Sequence, residues 1–191
     1  MKPQIVISLK IFLMLTIITG LIYPLFITFA AQIIFPQEAS GSTIKKDGKL
    51  IGSKLIGQKF VSDKYFSSRP SAIDFNPMPS GASNFGMTST KLKSLFDERK
   101  KEFAEKNYIN DADLTPHEML FASASGVDPH ITPQAAFLQV GRITKARNFD
   151  EHRRRLIILL IASLTEKPQF GFLCKPTINV LLLNIELDKI E

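Results

Sequence analysis

The stretch at 11–35 reads IFLMLTIITGLIYPLFITFAAQIIF, and 27 uncharged residues separate Lys10 from Glu38. At a rise of about 1.5 Å per residue, a helix of this length crosses the roughly 30 Å hydrocarbon layer of a bilayer with residues to spare for tilt. The spacing therefore predicts a transmembrane helix over 11–35. A cleaved signal peptide competes, because Lys2 and Lys10 make a basic start and TFA at 28–30 supplies a small residue. Such a peptide has an apolar core of only about 7 to 15 residues. Here the apolar run continues through Ile33, Ile34 and Phe35, which favours retention. Gly20 and Pro24 fall inside the span, where they are tolerated as a kink or used as a packing face.

Working outward, two lysines precede the span and none follows it until Lys45. The excess of basic residues on the N-terminal flank assigns that flank to the cytoplasm. The expected organisation is a cytoplasmic N-terminus at 1–10, a transmembrane helix at 11–35 and an extracytoplasmic mixed α/β domain at 36–191, in the cell inner (plasma) membrane. Residues 38–191 carry 22 Lys/Arg against 18 Asp/Glu. A balance so mixed excludes nucleic acid as a partner. Cys174 is the sole cysteine, so no internal disulfide forms, and it is expected as a small buried hydrophobe. His117, His130 and His152 have no ligand spacing, so no metal site is expected, and no Walker-type glycine loop is present.

Beyond the span, Asp47-Gly48 lies between two alternating stretches and predicts a hairpin with strands near Thr43 and over 50–56. The following SSRPSAIDFNPMPSGASNFGMTST is a long turn-rich loop. Thr88 or Ser89 caps a helix whose apolar face holds Leu92, Leu95, Phe96 and Phe103. Its charged side is a solvated face, with Asp97–Lys101 and Glu102–Lys106 at the favourable four-residue spacing. A short helix is expected after Thr115, and another behind Thr132-Pro133. A longer helix starts near Asp150 and ends apolar. Finally, KPTINVLLLNIELDKI reads as a partly buried strand.

Several residues invite a chemical reading. Ser125, Asp128 and His130 sit within ASASGVDPHITP and are the residue types of a hydrolytic triad, with Ser123 as a second possible nucleophile. Backbone geometry accounts for most of that motif: Asp128-Pro129 starts a turn and Thr132-Pro133 starts a helix. A triad, moreover, normally gathers residues from separate parts of a chain, and Ser125 lacks the Gly-x-Ser-x-Gly elbow. Arg69 is an anion binder or a partner for a carboxylate of its own domain. Ser80, Gly81, Ser83 and Asn84 form either a backbone nest for phosphate or a string of turns. The triple arginine at 153–155 reads as a solvated helix start, and Asp111, Asp113 and Asp128 are candidates for gathering cations.

Taken together, the chain resembles one family, the C subunit of the Kdp-type potassium-transporting P-type ATPase. The resemblance rests on YPLFIT (23–28), IFPQEASGS (34–42), GSKLIGQKF (52–60), FSSRPSA (66–72), SGASNFG (80–86), the motif at 122–136 and GFLCKPTINVLLLN (171–184). It implies an accessory subunit without catalysis of its own, joined to a channel-like A subunit and an ATP-hydrolysing B subunit, with ATP and potassium handled by the complex. It also implies a catalytic-chaperone role that raises the ATP affinity of the B subunit. Arg69, Asp128, His130, Asn179 and Asn184 become interaction candidates, and no cofactor is expected on this chain. Ala82 and Ala124 replace usual glycines, and Gly141 and Asn148 also depart from the family pattern. A Cβ at 82 hinders close backbone approach by a nucleotide.

Overall fold

The computed structural model describes residues 2–46 and 48–190. It divides into two compact units, 1–53 and 54–191. In the first, α1 (Lys2–Ile17) runs through a π-helical turn at Ile18–Ile22 into α2 (Tyr23–Ile34). The apolar helical stretch thus covers Pro3–Ile34, 32 residues containing an 18-residue window of mean hydropathy 2.5, and none of that window is buried. It begins earlier than 11 because Lys10 does not interrupt a helix. Pro24 explains the π turn: it has no N–H to donate and its ring crowds the carbonyl one turn back, so the ladder widens just before it. The hydroxyls of Ser8, Thr16 and Thr19 donate to the carbonyls of Gln4, Phe12 and Leu15 at 2.9, 2.8 and 2.7 Å. These three hydroxyls are thereby satisfied within the helix, as an apolar surrounding would require.

A single turn, α3 (Pro36–Ala39), precedes the antiparallel pair β1 (Thr43–Lys46) and β2 (Lys49–Ser53), in which Thr43 faces Ser53 and Lys46 faces Lys49. The hairpin is as expected, although β2 stops at Ser53 instead of continuing to 56. Asp47 of the expected turn lies outside the described residues.

The regular structure of the second unit is mostly helical, set among long loops. Ser89 caps α4 (Thr90–Lys106) by accepting from Leu92 N at 3.3 Å, Thr132 caps α5 (Pro133–Ala146) through Ala135 N at 3.2 Å, and Asp150 caps α6 (Glu151–Leu164) through Arg153 N at 2.8 Å. Ile157 and Ile161 of α6, one turn apart, are fully buried in one hydrophobic cluster with Ala135, Ala136 and Ile143 of α5 and the core aromatic Phe66.

Four expectations are corrected. The expected C-terminal strand is only β4 (Ile178–Asn179), which pairs antiparallel with β3 (His130–Ile131); the chain then becomes α7 (Val180–Leu187). Asn179 causes the switch by accepting from Leu182 N at 3.1 Å as an N-cap. In place of the short helix expected after Thr115 stands one 3-10 turn, His117–Met119, with another, Ala112–Leu114, just before Thr115. Cys174 is exposed. On α4, Lys101 faces Glu105 at 3.9 Å and Lys106 faces Asp63 at 3.7 Å, instead of Asp97 and Glu102.

Candidate functional site

The motifs of the long loop converge on residues 122–130. Arg69 Nη1 donates to Asp128 Oδ2 at 2.7 Å, Ser123 N to Pro70 O at 3.2 Å, and Gly81 N to Ser125 O at 3.2 Å. Gly126, at φ +74°, lies so close that an added Cβ would stand 2.4 Å from Ile73 Cγ1 and 2.8 Å from Gly81 O. On the other side Gly57 N donates to Val127 O at 2.7 Å, and a Cβ there would meet Asp128 O at 2.5 Å. Three separate glycine- and serine-rich stretches therefore form one internally bonded cluster.

Asp128 organises it. Its Oδ1 accepts from His130 N at 3.0 Å and lies 3.5 Å from His130 Nδ1. Burial alone pushes the Asp128 carboxyl up, but the His130 ring, the His130 N–H and the Arg69 guanidinium together hold it below the usual carboxylate range. Asp128 in turn holds the His130 imidazole above its ordinary value, against the opposing effect of burial, with a smaller push from Glu166.

The hydrolytic arrangement is not assembled. Ser125 is exposed and its Oγ accepts from Val127 N at 3.2 Å, while Ser123 is buried. Among the described residues no hydrogen bond joins either serine to His130. In the 80–86 stretch, Ser80, Ser83 and Asn84 are exposed, Asn84 is left-handed at φ +53°, and the N–H of Gly81 is already used by Ser125.

Asn179 and Asn184 do structural work. Asn179 Nδ2 donates to Lys54 O at 2.7 Å. Asn184 accepts from Phe66 N at 2.8 Å and donates to Phe66 O at 3.0 Å, completing both backbone bonds of a residue with no strand partner. Asp111 caps a 3-10 turn through Asp113 N at 2.9 Å, and Asp113 pairs with Lys100, which holds its carboxyl below the usual range. Arg154 and Arg155 face Glu151 at 3.4 and 4.0 Å.

Sequence reading missed the polar centre of the domain. Arg142, 2% exposed, donates to Asn107 Oδ1 at 3.0 Å, Asp63 O at 2.6 Å, Tyr65 O at 3.0 Å and Gln139 Oε1 at 2.9 Å. Burial pushes its guanidinium below the usual arginine value, against the opposing charge of Asp63. Gln139 takes up Ser67 N at 2.7 Å, and Arg147 donates to Lys64 O and Asp188 Oδ1, each at 2.8 Å. Side chains of α5, its C-cap Arg147 and α7 thus satisfy the backbone of the irregular segment 63–67, which has no strand to pair with. The available signal was two polar residues three apart, Gln139 and Arg142, on the apolar face of α5.

A cleft of about 370 Å³ opens beside this segment and α4. Three of its cationic side chains already have carboxylate partners: Lys59 with Asp74, Arg69 with Asp128 and Lys106 with Asp63. Fold and loop cluster together define a class: a small chain carrying one long apolar helix and a domain whose polar side chains are spent on bracing its own loops.

The chain belongs to the KdpC family, whose model, described as K+-transporting ATPase, c chain, matches residues 5–189. It is similar to the potassium-transporting ATPase KdpC subunit of Leptospira interrogans, with 43% identity over 95% of this chain and 92% of that one. The same-named subunits of Bradyrhizobium diazoefficiens and Geotalea uraniireducens are each 42% identical, over 98% and 100% of this chain and 96% and 97% of theirs.

Proposed function

We propose that this chain is a non-catalytic accessory subunit of a high-affinity, ATP-driven potassium uptake complex. Its apolar helix spans the inner membrane with the N-terminus in the cytoplasm, and residues 36–191 stand outside. There it assembles with a channel-like A subunit and an ATP-hydrolysing B subunit. The near-full-length family match carries this reading. The bracing of the outer loops supports it physically, because a rigid surface loses little conformational freedom when a partner docks. Arg69, Asp128, His130, Asn179 and Asn184 act by keeping that surface in shape.

As a catalytic chaperone the subunit raises the ATP affinity of the B subunit without touching nucleotide. Coupling runs through the membrane helix or the A subunit, since an effect on affinity requires only a coupling free energy between sites. Ser80, Gly81, Ser83 and Asn84 then serve as turns and docking surface. Detergent extraction from cells grown at low potassium tests the assignment: the protein comes out with two larger membrane subunits, and recovery as a lone monomer overturns it.

A further inference from the structure

Between α6 and β4 the chain leaves the domain as a hairpin. Glu166 and Thr177 close its base with backbone bonds of 2.8 and 3.2 Å, and Phe172 N and Leu173 N both donate to Gln169 O at its end, at 3.3 and 3.0 Å. The tip is apolar and open: Phe170 is 85% exposed, Phe172 77% and Leu173 44%. Phe170 sits at φ +53° and Gly171 at +80°, a turn that keeps both rings at the apex. A bulky side chain in the left-handed region is a backbone outlier, so this display is specified. Lys167 and Lys175 stand exposed on the two legs, with Glu166 the one acid of the hairpin.

An aromatic apex with ammonium groups on its legs complements one surface chemically: an anionic phospholipid interface. There the rings reach the boundary of headgroup and acyl chain while the lysines remain among the phosphates. A convex tip needs no preformed cavity for this. The apolar helix Pro3–Ile34 is long and apolar enough to cross a bilayer, which under the anchored reading is then a constant neighbour. A contact too weak to recruit a free protein is sufficient once the protein is tethered, because the second contact is intramolecular.

We propose that the hairpin at 166–177 is a second membrane contact that inserts Phe170, Phe172 and Leu173 into an anionic phospholipid surface. This rests on the anchored reading above. The full chain is reconstituted in vesicles of equal parts phosphatidylcholine and phosphatidylglycerol, with a bimane label on Cys174 and a spin label near the lipid headgroups. The bimane is expected to be quenched, less so in phosphatidylcholine alone, and quenching is lost in the Phe170→Ser/Phe172→Ser double variant carrying the same label. A label equally water-exposed in both lipids overturns the proposal, as does shielding that requires the larger subunits. Extraction by alkaline carbonate separates the two readings: a chain stripped from the vesicles overturns the anchor and the hairpin contact with it, whereas a retained chain with an unquenched label overturns the hairpin contact alone.

Discussion

Arg69 and Asp128, 59 residues apart, are joined by a 2.7 Å charge-assisted hydrogen bond that ties the long loop to the turn before β3. Both side chains are about a quarter exposed, 25% and 27%. Losing Arg69 leaves Asp128 Oδ2 partly desolvated without its donor, while Oδ1 keeps His130. Arg69→Ala is expected to destabilise the domain by about 2 kcal/mol, and Ser125→Ala by under about 0.5 kcal/mol, in urea denaturation of the full chain in detergent. A hydrolytic role for Ser125 predicts the same small stability change accompanied by an abolished activity.

The Asp128–His130 pair gives the domain a pH window. Asp128 titrates lower in the folded chain, so its contribution is present above its unfolded value of about 3.9 and is lost as pH falls through the lower folded value. His130 titrates higher when folded, so its contribution is complete below about 6.5 and is lost as pH rises through the raised folded value. Arg69 and Glu166 are the other charges acting on this pair. Stability from this site is greatest between about pH 4 and 6.5, and His130→Gln removes the fall on the alkaline side. Denaturation midpoints measured across pH check both limbs.

Arg142 carries more. Arg142→Met fills a similar volume but leaves Asp63 O, Tyr65 O and the Asn107 amide oxygen without this donor, and Gln139 Oε1 with Ser67 N alone. The expected cost is about 3 kcal/mol or more. Amide exchange should quicken first at 63–67, the segment those bonds hold.

Much of this was readable locally, and the reason is range. Ser89, Thr132 and Asp150 act within three residues of themselves, so their helix starts follow from sequence alone. The apolar helix was legible from length and charge. The stretch 180–187 was not, because Leu181, Leu183 and Leu187 are all buried and an apolar run carries no period to separate helix from strand. Arg142 and Asn184 were opaque for another reason: Arg142 bonds backbone carbonyls 77 and 79 residues away in sequence, and Asn184 bonds a residue 118 away. Arg69 as partner of a carboxylate was foreseen in kind, though Asp128 as that carboxylate was not.

Three glycines of one domain should respond oppositely to alanine. Gly57→Ala drives a Cβ to 2.5 Å from the Asp128 carbonyl oxygen, a backbone atom that cannot swing aside, and Gly126→Ala adds strain at φ +74°. Each is expected to cost about 1 to 3 kcal/mol. Gly141 lies inside α5, where a Cβ meets nothing within 4 Å. Gly141→Ala should therefore stabilise the domain by about 0.5 to 1 kcal/mol. Thermal melts of the three variants side by side make the comparison.

Sidedness is the most direct test of the whole account. Met87, 92% exposed, offers a reporter on the outer loops. In a Cys174→Ser/Met87→Cys chain, a membrane-impermeant maleimide added to intact spheroplasts is predicted to label the cysteine fully, on a protein whose mass retains the apolar helix. Labelling only after the membrane is permeabilised contradicts the account.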